Sequence, residues 1–204
     1  MSGFKIYGDS ISGNCLKVKW TADLLGLEYE WVETSVFKGE TRTPEFLKRN
    51  PWGQVPTVVL SDGRVLTQSN AIILYLNRAY KGGLLPKGEY ARAKVFEWLF
   101  WEQNSHETSI AVRRADIQYR GKTEEDINPA LLTRGRAALA HMERQLGQTP
   151  YLAGGKLTLA DIALVAYSRV AHEGGFDLSE FPSLRAWIAR VERDLSIAPA
   201  EEAA

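Results

Sequence analysis

The chain has 204 residues, 25 basic and 25 acidic side chains, no net charge and one cysteine. The length allows one large domain or two small ones with a real core. The charge balance argues against nucleic acid or an anionic membrane surface as the main partner. The single cysteine, Cys15, excludes an intramolecular disulfide and a Cys-x-x-Cys redox pair. A reducing cytoplasm is the expected compartment. Neither a signal peptide nor a membrane span is expected, because no basic leader with a long apolar stretch occurs.

In chain order, Phe4–Gly8 predicts a strand and Asp9–Gly13 a loop. A helix follows with Cys15, Val18, Ala22 and Leu25 on one apolar face, and Gly26 ends it. Tyr29–Val32 predicts a second strand, Phe37–Arg42 a polar loop, and Pro44–Arg49 a short helix opened by Thr43. Two β-rich runs, Thr57–Leu60 and Arg64–Leu66, flank Ser61-Asp62-Gly63, a strong hairpin signal. Pro56 opens the first run, as an edge-strand start or a cis turn. A helix from Ser69 to Tyr80 closes a compact four-stranded α/β unit.

Lys81–Gly88, with three glycines and a proline, predicts a linker. All that follows reads as helical. A long helix runs from Glu89 to about Arg114, with Val95, Trp98, Leu99 and Glu102 on one face and Phe96 and Phe100 beside it. Asn128–Leu146 carries Leu132, Leu139, Met142 and Leu146 on one stripe. Thr158 and Asp161 predict a capping box for a helix reaching about Val170. Phe181-Pro182-Ser183 opens a last helix bearing Leu184, Trp187, Ile188 and Val191. Asp161 could pass for an active-site carboxylate, but capping explains it, and Asp161→Ala is expected to cost roughly 1 kcal/mol. The histidines His106, His141 and His172 have no ligand spacing, so no metal is expected.

The hairpin makes chemical sense as a ligand site. It puts a backbone-pairing segment at Val55-Pro56 and a helix N-terminus at Gln68-Ser69, which suits a small peptide carrying a carboxylate.

On Val55-Pro56, Gln68-Ser69-Asn70-Ala71-Ile72 and Leu157-Thr158-Leu159-Ala160-Asp161, the chain resembles the soluble glutathione transferases. Ser10–Cys15 and Lys38–Arg42 are most similar to the bacterial theta-like and nu-like branches. The resemblance implies an α/β thioredoxin-like N-terminal domain over 1–80, a linker over 81–88 and an all-α helical-bundle C-terminal domain over 89–204. It implies glutathione as co-substrate, a small hydrophobic electrophile as partner, and a homodimer. The expected activity is conjugation; the alternatives are glutathione-dependent disulfide reduction or peroxidase chemistry, and a non-catalytic scaffold.

In this reading the glutathione thiol must become a thiolate. Lowering its pKa from ~8.5 by ~2 units takes roughly 2.7 kcal/mol of preferential stabilisation. Ser12 matches the theta-like catalytic serine; its simpler role is to cap the helix. Asn14 matches the nu-like asparagine that also addresses the sulfur. Cys15 falls on the apolar face and reads as an inert small hydrophobe, though some relatives use a cysteine in this loop. Tyr7 reads as core. The resemblance implies that Ser69 and Gln68 bind the γ-glutamyl group. It also implies that Val55, before a cis Pro56, pairs with the cysteinyl backbone, and that Lys38, Arg42 and Gln54 are candidates for the glycyl carboxylate. Trp98, Trp101, His106 and Arg113, with Phe100, are expected to line a second-substrate pocket between the domains. Phe100 or Trp101 could instead touch a second subunit, and Glu102-Gln103 could reach a neighbour's glutathione.

Overall fold

A computed structural model describes residues 3–200. The chain divides into two compact units, Met1–Gly83 and Leu84–Ala204, and the division falls inside the expected linker stretch.

The first unit holds a four-stranded sheet in the order β2-β1-β3-β4. The strands are β1 (Phe4–Gly8), β2 (Tyr29–Glu33), β3 (Thr57–Val59) and β4 (Val65–Thr67). β2 runs parallel to β1, whereas β3 is antiparallel to β1 and β4 antiparallel to β3. β1 shows the period of two that strand geometry imposes. Phe4 and Ile6 are buried, while Lys5 is exposed and pairs with its cross-strand partner Glu30 at 2.8 Å. Tyr7, expected in the core, is half-buried: its ring meets Phe46 edge-on at 6.2 Å, and the Arg49 guanidinium lies 5.0 Å over it.

Three helices complete the unit. α1 (Gly13–Leu24) buries Cys15, Val18 and Ala22 as the spacing predicts, while Leu25 falls to the helix cap and is half-buried. α2 (Pro44–Arg49) is capped by Thr43, whose hydroxyl accepts from the Phe46 N–H at 3.3 Å. α3 (Ser69–Ala79) buries Ile72, Ile73 and Leu76 and packs against α1. The Asp-Gly hairpin closes through the Leu60 N–H on the Arg64 carbonyl at 2.8 Å.

The second unit is helical: α4 (Glu89–Trp101), α5 (Glu107–Gln118), α6 (Ala130–Leu146), α7 (Leu159–Ser168) and α8 (Pro182–Asp194). The single long helix expected from Glu89 is interrupted. A π turn over Glu102–His106 separates α4 from α5. One extra residue per turn re-phases the helix without breaking its buried stripe, so the pattern alone could not reveal it. On α6 the buried stripe starts at Leu131, not Leu132. Gly135 is required there, because a Cβ would lie 2.4 Å from the Phe176 ring. Every residue of α7 is buried, which makes it the centre of this unit.

The capping box of α7 is present, and Asp161 does more than close it. One carboxylate oxygen accepts from the Thr158 N–H at 2.8 Å and its hydroxyl at 2.9 Å. The other accepts from the Leu152 N–H and the Trp187 indole N–H, both at 2.9 Å. Burial pushes this carboxyl above its ordinary range, and the four donors oppose that shift. The expected 1 kcal/mol therefore understates its contribution.

Candidate functional site

The loop between β1 and α1 is braced by two carboxylates. Asp9 is buried and accepts from the Ile11 N–H at 3.2 Å and the Val36 N–H at 2.9 Å. Glu33 accepts from the Ser10 N–H at 2.9 Å. Ser12 then occupies the N-cap position of α1, and its carbonyl accepts the first helical bonds from Cys15 and Leu16. Its side chain makes no capping bond, so the simple capping role is not taken up. The hydroxyl instead lies against the Cys15 thiol. Cys15 is fully buried, and burial pushes its thiol up to about 12 against the pull of the Ser12 hydroxyl. A thiol in that state is a poor nucleophile at neutral pH.

Asn14 and Ser69, 55 residues apart, meet directly: the Ser69 hydroxyl donates to Asn14 Oδ1 at 3.0 Å. The same oxygen accepts from Lys17 Nζ at 2.6 Å. Ser69 is buried and is the first residue of α3, so its backbone N–H belongs to the set that a helix leaves without an intrahelical acceptor. Gln68 before it is exposed and holds φ 69°, an uncommon conformation for a residue other than glycine. Residues held there cluster at functional sites.

The Val55–Pro56 peptide bond is cis. Its segment is stapled by Asn50, a buried side chain that the sequence reading passed over as the end of α2. Asn50 Nδ2 donates to the Gln54 carbonyl at 2.8 Å and to the Thr57 hydroxyl at 3.1 Å, and its Oδ1 accepts from the Trp52 N–H at 3.1 Å. Arg42 joins the same turn, donating to the Trp52 carbonyl at 3.2 Å. Gly53, at φ 61°, is needed for that approach, since a Cβ would stand 2.7 Å from the guanidinium. Arg42 and the exposed Gln54 side chain thus share one turn. Lys38 stands apart, exposed in the turn after Ser35, whose hydroxyl accepts from the Lys38 backbone N–H at 3.3 Å.

The residues expected around a second substrate separate. Trp98 is buried and packs against Trp101 and His141, with ring centroids 5.2 Å away in each case. Trp101 lines a cavity of about 440 Å³ in the helical unit with His141, Asn104, Ser109 and Arg134. His106 does not line it. That ring is fully buried, with Nε2 2.9 Å from the Ser168 hydroxyl. Arg113 is likewise a structural group, not a pocket wall: buried, it donates to the Gly174 carbonyl at 2.7 Å and to the Glu124 carboxylate. Glu102 is fully buried in the π turn, with its carboxylate 2.7 Å from Gln103 Nε2, so it is not presented to a neighbouring molecule. Phe100 is 76% exposed. Asp9, Lys17 and Asn50 are the polar residues the sequence reading missed. In each, the available signal was a polar residue beside a motif, with nothing to mark it as buried.

Comparison with known proteins points to one family. Residues 11–79 match the family model for the glutathione S-transferase N-terminal domain, and residues 112–190 match that for the C-terminal domain. The rice protein named "Probable glutathione S-transferase GSTF2" (Oryza sativa subsp. japonica) is 30% identical over 92% of this chain and 90% of its own length. Among solved structures, a glutathione S-transferase from Pseudomonas fluorescens is 47% identical with a TM-score of 0.89, covering 94% of this chain and 95% of that one. One from Xanthobacter autotrophicus is 41% identical with a TM-score of 0.86, covering 98% and 96%. By both its domains and its relatives, the chain belongs to the glutathione S-transferase family.

Proposed function

We propose that the protein is an enzyme that binds glutathione and conjugates its thiolate to small apolar electrophiles. The observation that carries this reading is the bond between Ser69 and Asn14. It sets an anion-receptive helix N-terminus beside the loop that carries Ser12. The γ-glutamyl carboxylate is received by the Ser69 backbone N–H at the start of α3, with Gln68 alongside. The cysteinyl backbone pairs with Val55 by strand addition. Arg42 and Gln54 face the glycyl carboxylate, with Lys38 as a further cation. The sulfur then lies by the start of α1, where Ser12 donates a hydrogen bond to the thiolate and Asn14 assists. One charge-assisted donor and the helix dipole together supply the stabilisation the thiolate needs. The thiolate attacks the electrophile, a carbon–sulfur bond forms, and the leaving group departs with the electron pair. A homodimer in the cytoplasm is part of the same reading.

Turnover of an aryl halide and of a mixed disulfide, each with glutathione, tests it. Faster aryl-halide turnover, lost in Ser12→Ala, supports conjugation. Disulfide turnover alone would replace it with reductase chemistry, and no turnover of either beside tight glutathione binding would leave a scaffold.

A further inference from the structure

Lys17 is a buried group beside the site that the proposed chemistry leaves unused. It lies one turn beyond Asn14 on α1 and is 0% exposed. Lysine is almost never fully buried unless paired. Its nitrogen donates to Asn14 Oδ1 at 2.6 Å, and that oxygen also takes the Ser69 hydroxyl hydrogen at 3.0 Å. An ammonium offers donors and no acceptor, so only the carbonyl end of the Asn14 amide can face it. The amide NH2 is thereby set on the opposite side of the group. The hydroxyl of Ser69 has one hydrogen, and Asn14 holds it, which fixes the direction of its lone pairs.

We propose that Lys17 is a positioning residue of the glutathione site, acting through Asn14. It orients the Asn14 amide and the Ser69 hydroxyl as one unit, and it sets a buried ammonium behind the Asn14 amide and the start of α3, where the Ser69 backbone N–H receives the carboxylate. This rests on the functional reading above. The charge also suits a site whose ligand arrives with two carboxylates and reacts as a thiolate. Being buried, the ammonium is screened far less than surface lysines such as Lys38.

Lys17→Met keeps the buried stem and removes both donors and charge. Glutathione affinity is measured by titration calorimetry in the wild type and in this variant, and again with Asn14→Ala in each. The substitution is expected to weaken glutathione about 10–100-fold, the range for losing a hydrogen bond to a charged group. Because it acts through Asn14, the same change is expected to cost under about threefold once Asn14 is alanine. Unchanged affinity in Lys17→Met with only a lower melting temperature would overturn the proposal, as would equal losses in both backgrounds. Absence of glutathione binding by the wild type would be failure of the functional reading itself. If Lys17→Met does not fold, the wild-type crystal structure with glutathione decides. Asn14 Oδ1 is expected to stay on Lys17, and an amide turned away from it would contradict the proposal.

Discussion

Asp161→Ala removes the acceptor for four hydrogen bonds at once. The Thr158 hydroxyl can turn to another partner, but three N–H groups cannot: those of Leu152, Thr158 and the Trp187 indole, all buried. An unsatisfied buried donor costs about 1–3 kcal/mol. Water entering the vacated space recovers part of that, leaving a net loss of ~3–5 kcal/mol from the three donors together. Against a typical total of about 5–15 kcal/mol, that is a large fraction. The assay is guanidinium unfolding followed by far-ultraviolet circular dichroism, with midpoint and slope both compared. A loss below about 1.5 kcal/mol would refute the reasoning, since a cap alone costs about 1 kcal/mol. The folded variant is expected to bind glutathione with wild-type affinity, because Asp161 belongs to the helical unit and the proposed ligand groups to the other.

Cys15, buried with its thiol pushed up to about 12, is expected not to react with a thiol reagent in the native protein and to react once denatured; fast labelling of native protein would contradict this. Asn50→Ala releases the turn before Pro56 and is expected to weaken glutathione about tenfold with little change in secondary structure; wild-type affinity would remove Asn50 from the site. Burial and a hydrogen bond to Asp194 raise the Tyr151 hydroxyl to about 12. Since its folded pKa lies above the unfolded value of about 10, its contribution is present below that pH and is lost as pH rises from there toward the folded value. Tyr151→Phe is expected to flatten the alkaline stability profile in that window, and an unchanged slope would contradict the assignment.

Much of the fold was legible because its signals are local. The period of β1, the Asp-Gly turn and the Thr158–Asp161 spacing each fit within a few residues. Cys15 was placed correctly by helical spacing alone. What stayed hidden depends on partners distant in sequence. His106 and Arg113 read as polar pocket residues because their partners, Ser168 and Gly174, lie 62 and 61 positions away. Lys17 drew no attention for the same reason, since the Ser69 end of its network lies on α3. The π turn hid within a buried stripe that continues through it as Glu102 and His106. Asp161 was recognised as a cap but undervalued, because neither Leu152 nor Trp187 belongs to the capping motif.

The central claim is that Ser12 turns bound glutathione into a nucleophile. The most direct test is the thiol titration of glutathione bound to wild type and to Ser12→Ala, followed as thiolate absorbance in the ultraviolet. The wild type is expected to lower the thiol pKa by ~2 units, and Ser12→Ala to lose at least half of that shift. Glutathione that binds the wild type yet titrates as it does in water would contradict the account and leave the site a recognition surface only.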